Sequence, residues 1–188
     1  MGLKEDIKFA EIKLKKLLAD MPPSLDKLEG QIFERLVNSK RNDLNKLEHL
    51  YDVMGKFSKF IDSYTPCKNH CSKCCHIRVD ISEIEIQHIE KKYKIKRNKN
   101  LKPNTDGSGS PCVFLKNDTC SIYEGRPFMC RSHFFYTPDE TWCAHDVEVE
   151  DKQEFPLLRF TEIDKSYFHE INKGDNKVYD IREVFGGI

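Results

Sequence analysis

Cys67-Lys-Asn-His-Cys71-Ser-Lys-Cys74-Cys75 places four thiols within nine residues. Four more follow at Cys112, Cys120, Cys130 and Cys143, so every cysteine of the chain lies between positions 67 and 143. A packed core scatters its cysteines, because there a free thiol is only a small hydrophobe. Clustering at gaps of two and three residues points instead to a shared ligand. The reading that follows is a metal centre, mononuclear or iron–sulfur, held between the two cysteine blocks.

Working outward, the 188-residue chain has room for one domain, or for a domain with a helical extension. Apolar residues make up 38 % and charged ones 33 %, which predicts a hydrophilic chain that still buries a core. Lysine plus arginine equals aspartate plus glutamate at 31 each, so net charge offers no argument for nucleic acid, a membrane surface or an acidic substrate. The first residues carry charges every few positions and no signal-like apolar run. Gly2 fails the myristoylation pattern because Asp6 stands where serine or threonine is needed. No stretch of about 18 apolar residues occurs. These features predict a cytoplasmic protein, where thiols stay reduced and serve metals or catalysis rather than disulfides. Four disulfides would require export, for which no signal is present.

Upstream of the cysteines, residues 1–64 read as three helices. Leu3, Ile7, Ala10, Leu14 and Leu17 form the first apolar stripe, ended by Met21-Pro22-Pro23. Ser24 is the expected cap of a second, with Leu25, Leu28, Ile32 and Leu36 on one face. Asn42 or Ser39 caps a third, striped by Leu44, Leu47, Tyr51, Met54, Phe57 and Ile61. These stripes serve as packing surface; the sharper alternative is a partner-binding coiled coil, although the seams run only two to three heptads. A protein partner on these helices is the alternative expectation to packing against each other or against the cysteine domain.

Downstream, His76 to Ile81 alternates like a short strand, and Ser82 with Glu85 forms a capping box for a helix carrying Ile84, Ile86, Ile89 and Tyr93. Residues 91–102 are basic and residues 139–154 acidic, and the two runs are expected to meet in space. The basic run lacks interleaved aromatics beyond Tyr93, so no nucleic-acid interface is assigned. Cys112-Val-Phe-Leu115 and Cys120-Ser-Ile-Tyr123, joined by Lys-Asn-Asp-Thr, predict a tight hairpin with one cysteine on each arm. Pro127 opens a short helix presenting Cys130 and Arg131. The last residues mix short apolar runs such as Phe155 to Leu158 and Val178 to Ile181 with turns, reading as strands or a covering tail without chemistry. The expected fold is α+β: a helical extension over 1–64, a small metal-organised cysteine-rich domain over 65–150, and a tail over 151–188 packed on it.

Zinc and iron–sulfur clusters both take thiolates, and the Cys71-x-x-Cys74 gap lets two cysteines ligate from one loop. Cys74 and Cys75 are adjacent, and consecutive side chains usually point apart, so a single ion would take only one of them, whereas a polynuclear cluster or two nearby sites could use both. His70, His76, His133 and His145 are candidate replacements for a cysteine ligand or neighbours of one. A cysteine–histidine nucleophile pair is a further reading, weaker than metal capture by eight clustered thiols. The triplet Cys67-x3-Cys71-x2-Cys74 is similar to that of radical S-adenosylmethionine enzymes. Those place it after the first strand of a large partial barrel, with an aromatic where Lys73 stands, and no strand–helix alternation follows here.

Cys71-x-x-Cys74-Cys75, Pro111-Cys112-Val-Phe-Leu115 and Cys120-Ser-Ile-Tyr-Glu-Gly-Arg-Pro-Phe-Met-Cys130-Arg131 together resemble the YkgJ-like cysteine-cluster family, with its CxxCxxCC signature. The resemblance covers about residues 67–143. Cys67 departs from it, standing three residues rather than two before Cys71. The resemblance implies chelation of zinc or iron, with Cys67, Cys71, Cys74, Cys75, Cys112, Cys120, Cys130 and Cys143 as candidate ligands. Larger relatives hold an iron–sulfur cluster, which implies electron transfer or modification of a partner; a redox-silent zinc module and a metal store are the alternatives. Arg126 and Arg131 are the candidate groups beside the cofactor, offsetting thiolate charge or bonding sulfurs and carbonyls, and Arg126 alternatively forms a structural ion pair.

Overall fold

A computed structural model describes residues 2–68, 71–101, 109–172 and 177–186. Helices α1 (Leu3–Ala19), α2 (Pro23–Val37) and α3 (Asp43–Ile61) open the chain where the apolar spacing predicts them. Asn42 caps α3 by accepting the backbone N–H of Asn45 at 2.9 Å. Ser24 does not cap α2. Proline at position 23 has the φ that a first helical residue needs, so the helix starts there, with Pro22 as its cap residue.

The three stripes turn inward. Ala10, Leu17, Ile32, Leu36, Leu47, Tyr51, Met54, Phe57 and Ile61 are buried in one core together with Phe128, Phe135, Tyr136, Cys143, Phe155, Ile163, Tyr167 and Ile171. Helices and cysteine segment thus share this core rather than packing apart. A second core gathers Val79, Ile81, Ile86, Ile89, Phe114, Ile122, Ile181, Val184 and Phe185, with Cys112, Cys120 and Cys130 packed against it.

Strands are few. The expected strand at 76–81 shrinks to β1 (Asp80–Ser82), because residues 73–76 wind into a 3₁₀ turn instead. The capping box at Ser82 and Glu85 starts α4 (Glu83–Tyr93) as predicted. The hairpin forms from β2 (Leu115–Lys116) and β3 (Thr119–Cys120) around the Lys116-Asn-Asp-Thr119 turn read from sequence, with Asn117 and Asp118 at its centre. Asn117 and Asp118 both take positive φ, 48° and 55°, the geometry such a turn demands. Helix α5 (Phe128–Ser132) follows Pro127.

Most of the tail is helical, not extended. After α6 (Val149–Gln153), α7 (Thr161–Lys165) runs into a π-helical turn over Ser166–Ile171, and these pack on α2 and α3. Over 161–171 only Ile163, Tyr167, Phe168 and Ile171 are apolar, too few to fix a period, which is why the sequence misleads there. Val178–Asp180 does form a strand, β4, antiparallel to β1 with Asp80 opposite Asp180 and Ser82 opposite Val178. Helix α8 (Ile181–Phe185) closes the chain.

Among the described residues, no ion pair joins the two charged runs. Arg97 turns back on α4, bonding Glu83 at 2.6 Å and Glu90 at 2.7 Å, while Lys92 donates to the Glu124 carbonyl. In the acidic run, Lys152 donates to the Ala144 carbonyl. Carboxylates seven and fourteen residues back along the chain, on α4, are nearer partners than a distant loop.

Candidate metal centre

One cavity of about 100 Å³ is walled by all eight cysteines, Cys67, Cys71, Cys74, Cys75, Cys112, Cys120, Cys130 and Cys143. All eight are free thiols. Val79, Phe114, Ile122, Phe134 and Ile181 fill the wall between them, with Arg126 and His133 among the polar groups. Sequence blocks up to 76 residues apart therefore converge on one space. Among the described residues, no three cysteine, histidine, aspartate or glutamate donors already meet at the spacing of a single-ion site. The thiols ring a space rather than a point.

Local turns aim these sulfurs. Cys71, Cys112 and Cys120 each accept the backbone N–H two residues later, from Lys73, Phe114 and Ile122. An N–H directed at sulfur favours the thiolate, the form that binds metal. Cys74 and Cys75 correct the expectation that neighbours point apart. The 3₁₀ turn at Lys73–His76 curls the backbone so that both reach the cavity, and the Cys75 thiol donates to the Cys74 sulfur. That hydrogen bond, helped by the nearby Arg126 cation, brings Cys74 down to about 7, while Cys75 is pushed up. Burial pushes up Cys71, Cys112, Cys120, Cys130 and Cys143. Taking such thiols into water-poor surroundings is unfavourable for the charged form unless a cation joins them, so the donor set fits a thiophilic metal group.

The thiols fall into two neighbourhoods. Cys75 and Cys130 each lie in the field of Cys74, Cys112 and Cys120, and Cys112 lies in that of Cys120. Cys67, Cys71 and Cys143 form the other set, also in contact with the field of Cys74. The packing agrees with this division. Cys112, Cys120 and Cys130 lie against the second core, whereas Cys143 is buried in the first.

Backbone junctions join the cysteine blocks. The Cys75 carbonyl accepts the Cys112 N–H at 2.8 Å and the Arg182 guanidinium at 2.8 Å. Arg182 also donates to the carbonyls of Ile77 at 2.9 Å and Ser110 at 2.9 Å, and pairs with the buried Asp180 at 3.1 Å. The C-terminal segment, to which the sequence assigns no chemistry, thus clamps both loops. Only a register between β4 and β1 reveals this role.

Glu85 is a second residue whose part exceeds its sequence signal. Beyond capping α4 through the Ser82 N–H, its buried carboxylate accepts hydrogen bonds from Tyr51 Oη at 2.7 Å, Tyr167 Oη at 2.6 Å and the Phe128 N–H at 2.6 Å. One side chain thereby ties α3, the π-helical turn and the start of α5, which carries Cys130.

Arg131 reaches carbonyls rather than sulfur. Its Nε donates to the Arg126 carbonyl at 2.8 Å and its Nη2 to the Glu124 carbonyl at 2.6 Å, while the guanidinium lies 4.1 Å from the centre of the Tyr51 ring. Arg126 sits 4.1 Å from the Tyr123 ring centre, and its charge favours the thiolates of Cys74, Cys120 and Cys130. Its buried Nε has no hydrogen-bond partner among the described residues. Next to Arg126, at Gly125, a Cβ would stand 2.5 Å from the Tyr93 ring. Gly125→Ala is therefore expected to lower stability by about 1–3 kcal/mol. Thermal melts will show this, and adding Tyr93→Leu should recover most of the loss.

The histidines separate. His133 lines the cavity, and burial holds its ring below the usual histidine range, hence neutral. His76 and His145 face each other with ring centres 5.6 Å apart and are not part of the cavity wall. His70 lies outside the described residues.

Residues 66–156 match the model of the CxxCxxCC family, described as "Putative zinc- or iron-chelating domain". No curated protein and no solved structure matches the chain. No helix among the described residues is long and apolar enough to cross a membrane.

Proposed function

We propose, from the premise that residues 66–156 form a zinc- or iron-chelating domain of the CxxCxxCC family, that the chain holds an iron–sulfur cluster in its thiol-walled cavity. One observation carries this reading: the sulfurs surround about 100 Å³ of space instead of converging on one point. A structural zinc takes four donors at about 2.0–2.3 Å from a single centre and leaves no space between them. A polynuclear cluster spans such a space and uses thiolates from its whole rim. Cys74, Cys75, Cys112, Cys120 and Cys130 offer the richest set of donors. Arg126 beside them offsets thiolate charge, and Arg131 holds the loop that delivers Cys130.

When bound, such a group supplies one-electron chemistry. The chain's own residues position it, exclude water with Val79, Phe114 and Ile122, and hold charge balance through Arg126. Electron transfer to a protein partner, or support of a modification carried out on it, is the activity we assign. The partner meets the outward faces of the N-terminal helices, where Ile12 and Leu18 remain exposed. Purification without oxygen, followed by iron and acid-labile sulfide analysis, tests this reading. A brown protein with iron and sulfide in matching amounts is expected. Zinc alone, with loss of folding on chelation, would identify a redox-silent structural module instead.

A further inference from the structure

We infer that His133 is a hydrogen-bond donor to sulfur of the group held in the thiol-walled cavity, not a ligand of its metal, and that this bond raises the group's reduction potential. The role depends on that group being the iron–sulfur cluster of the preceding proposal.

Among the described residues, two side chains of the cavity wall hold a buried nitrogen without a hydrogen-bond partner, Arg126 at Nε and His133 at Nε2. They flank α5, the short helix that delivers Cys130. Arg126 stands just before Pro127, and His133 is the residue that ends the helix. A buried polar nitrogen left unpaired is unfavourable, so two of them on one wall mark an acceptor that fills the space. The guanidinium is always a donor. His133 becomes one as well. Burial, with the Lys152 charge nearby, holds its ring below the usual histidine range, so it is neutral and carries a single N–H. Metal-bound sulfur accepts hydrogen bonds and donates none, which selects the tautomer with that proton on Nε2.

The imidazole is not needed as a ligand, because eight thiols exceed the four that a cluster takes. It is also held in place from several sides. Phe135 packs edge-on against the ring with centres 5.4 Å apart, and the Phe135 carbonyl accepts Thr65 Oγ1 at 2.7 Å. Upstream, α5 is fixed by the Phe128 N–H on Glu85 and by Arg131 on the carbonyls of Glu124 and Arg126. A donor already in position needs no reorganisation when charge changes beside it. Iron-bound sulfur carries more negative charge once an electron is added. An N–H aimed at it therefore stabilises the reduced form more than the oxidised one, and the potential rises.

The test uses the full chain, purified without oxygen and analysed for iron, sulfide and zinc, with the midpoint potential read by redox titration. His133→Leu should keep the iron and sulfide of wild type, since no ligand is lost, but show a lower potential. His133→Gln, whose amide still donates, should recover part of the shift. His88 is the control: its Nε2 is also buried and unpaired among the described residues, but it lies off the cavity wall, so His88→Leu should leave the potential unchanged. Should the His133 variants fail to fold, the wild type still decides. Pulsed electron paramagnetic resonance of the reduced protein, with isotopically labelled histidine nitrogen, should show a weak nitrogen coupling and an exchangeable proton that deuterated water removes. A coupling of directly bound strength, or none, overturns the role, as does an unchanged potential in His133→Leu. Zinc without iron or sulfide would remove the cluster and this role together. Full iron and sulfide with a potential indifferent to His133 would remove this role alone.

Discussion

Glu85→Leu is expected to lower the stability of the protein by about 3–5 kcal/mol, a large share of the roughly 5–15 kcal/mol available to a folded domain. The carboxylate is almost wholly buried and takes hydrogen bonds from two tyrosine hydroxyls and the Phe128 N–H, besides capping α4. Leucine fills the same space but accepts nothing. The Tyr51 hydroxyl and the Phe128 N–H then lose the partner they have here, each at about 1–3 kcal/mol. Tyr167 retains only its 2.9 Å contact with Ser82 Oγ. Urea unfolding followed through Trp142, the only tryptophan, provides the measurement. Glu85→Gln should fall between the two, since its amide oxygen still accepts while its NH₂ faces other donors. A glutamine variant as unstable as the leucine one would show that charge, not hydrogen-bond acceptance, is what the hub requires.

Arg182→Ala should weaken metal retention by about 10–100-fold, the usual effect of losing a group that orients ligands from behind. The guanidinium bonds the carbonyls of Cys75, Ile77 and Ser110, and so joins the first cysteine block to the approach of the second. Charge-assisted bonds of this kind contribute about 1.5–3 kcal/mol each, and alanine also removes the arginine paired with buried Asp180. Competition with a chelator measures retention, and a thermal melt of the same sample measures stability. Arg182→Lys should recover the ion pair but only part of the retention, because an ammonium cannot span three carbonyls as a planar fork does. Equal retention by wild type and the alanine variant would remove Arg182 from any role at the centre.

Both predictions concern residues whose local sequence signal is ordinary. Glu85 is legible as half of a capping box, since that pattern needs only three residues of spacing. Nothing local announces that Tyr51, Tyr167 and Phe128 will arrive at the same carboxylate, because those contacts span 34 to 82 residues of chain. Arg182 lies in a tail read as a passive cover. Its reach to Cys75 depends on β4 pairing with β1, and a three-residue strand leaves too little pattern to announce a partner. The helical part of that tail, α7 and its π-helical turn, escaped for the related reason that its apolar positions are few and are chosen by the faces of α2 and α3.

What the sequence determined by itself follows from short-range physics. Thiol spacing, the three apolar stripes, the Asn42 cap, the Ser82–Glu85 box and the Asn117-Asp118 turn each depend on groups a few residues apart, and their chemistry is readable in a line of text. Only the tertiary structure decided which sulfurs share a space, how they divide between two cores, that Cys74 and Cys75 both face inward, and that His133 rather than His76 or His145 reaches the cavity. Those outcomes depend on long-range packing, where the burial of distant side chains outweighs the preferences of any single segment.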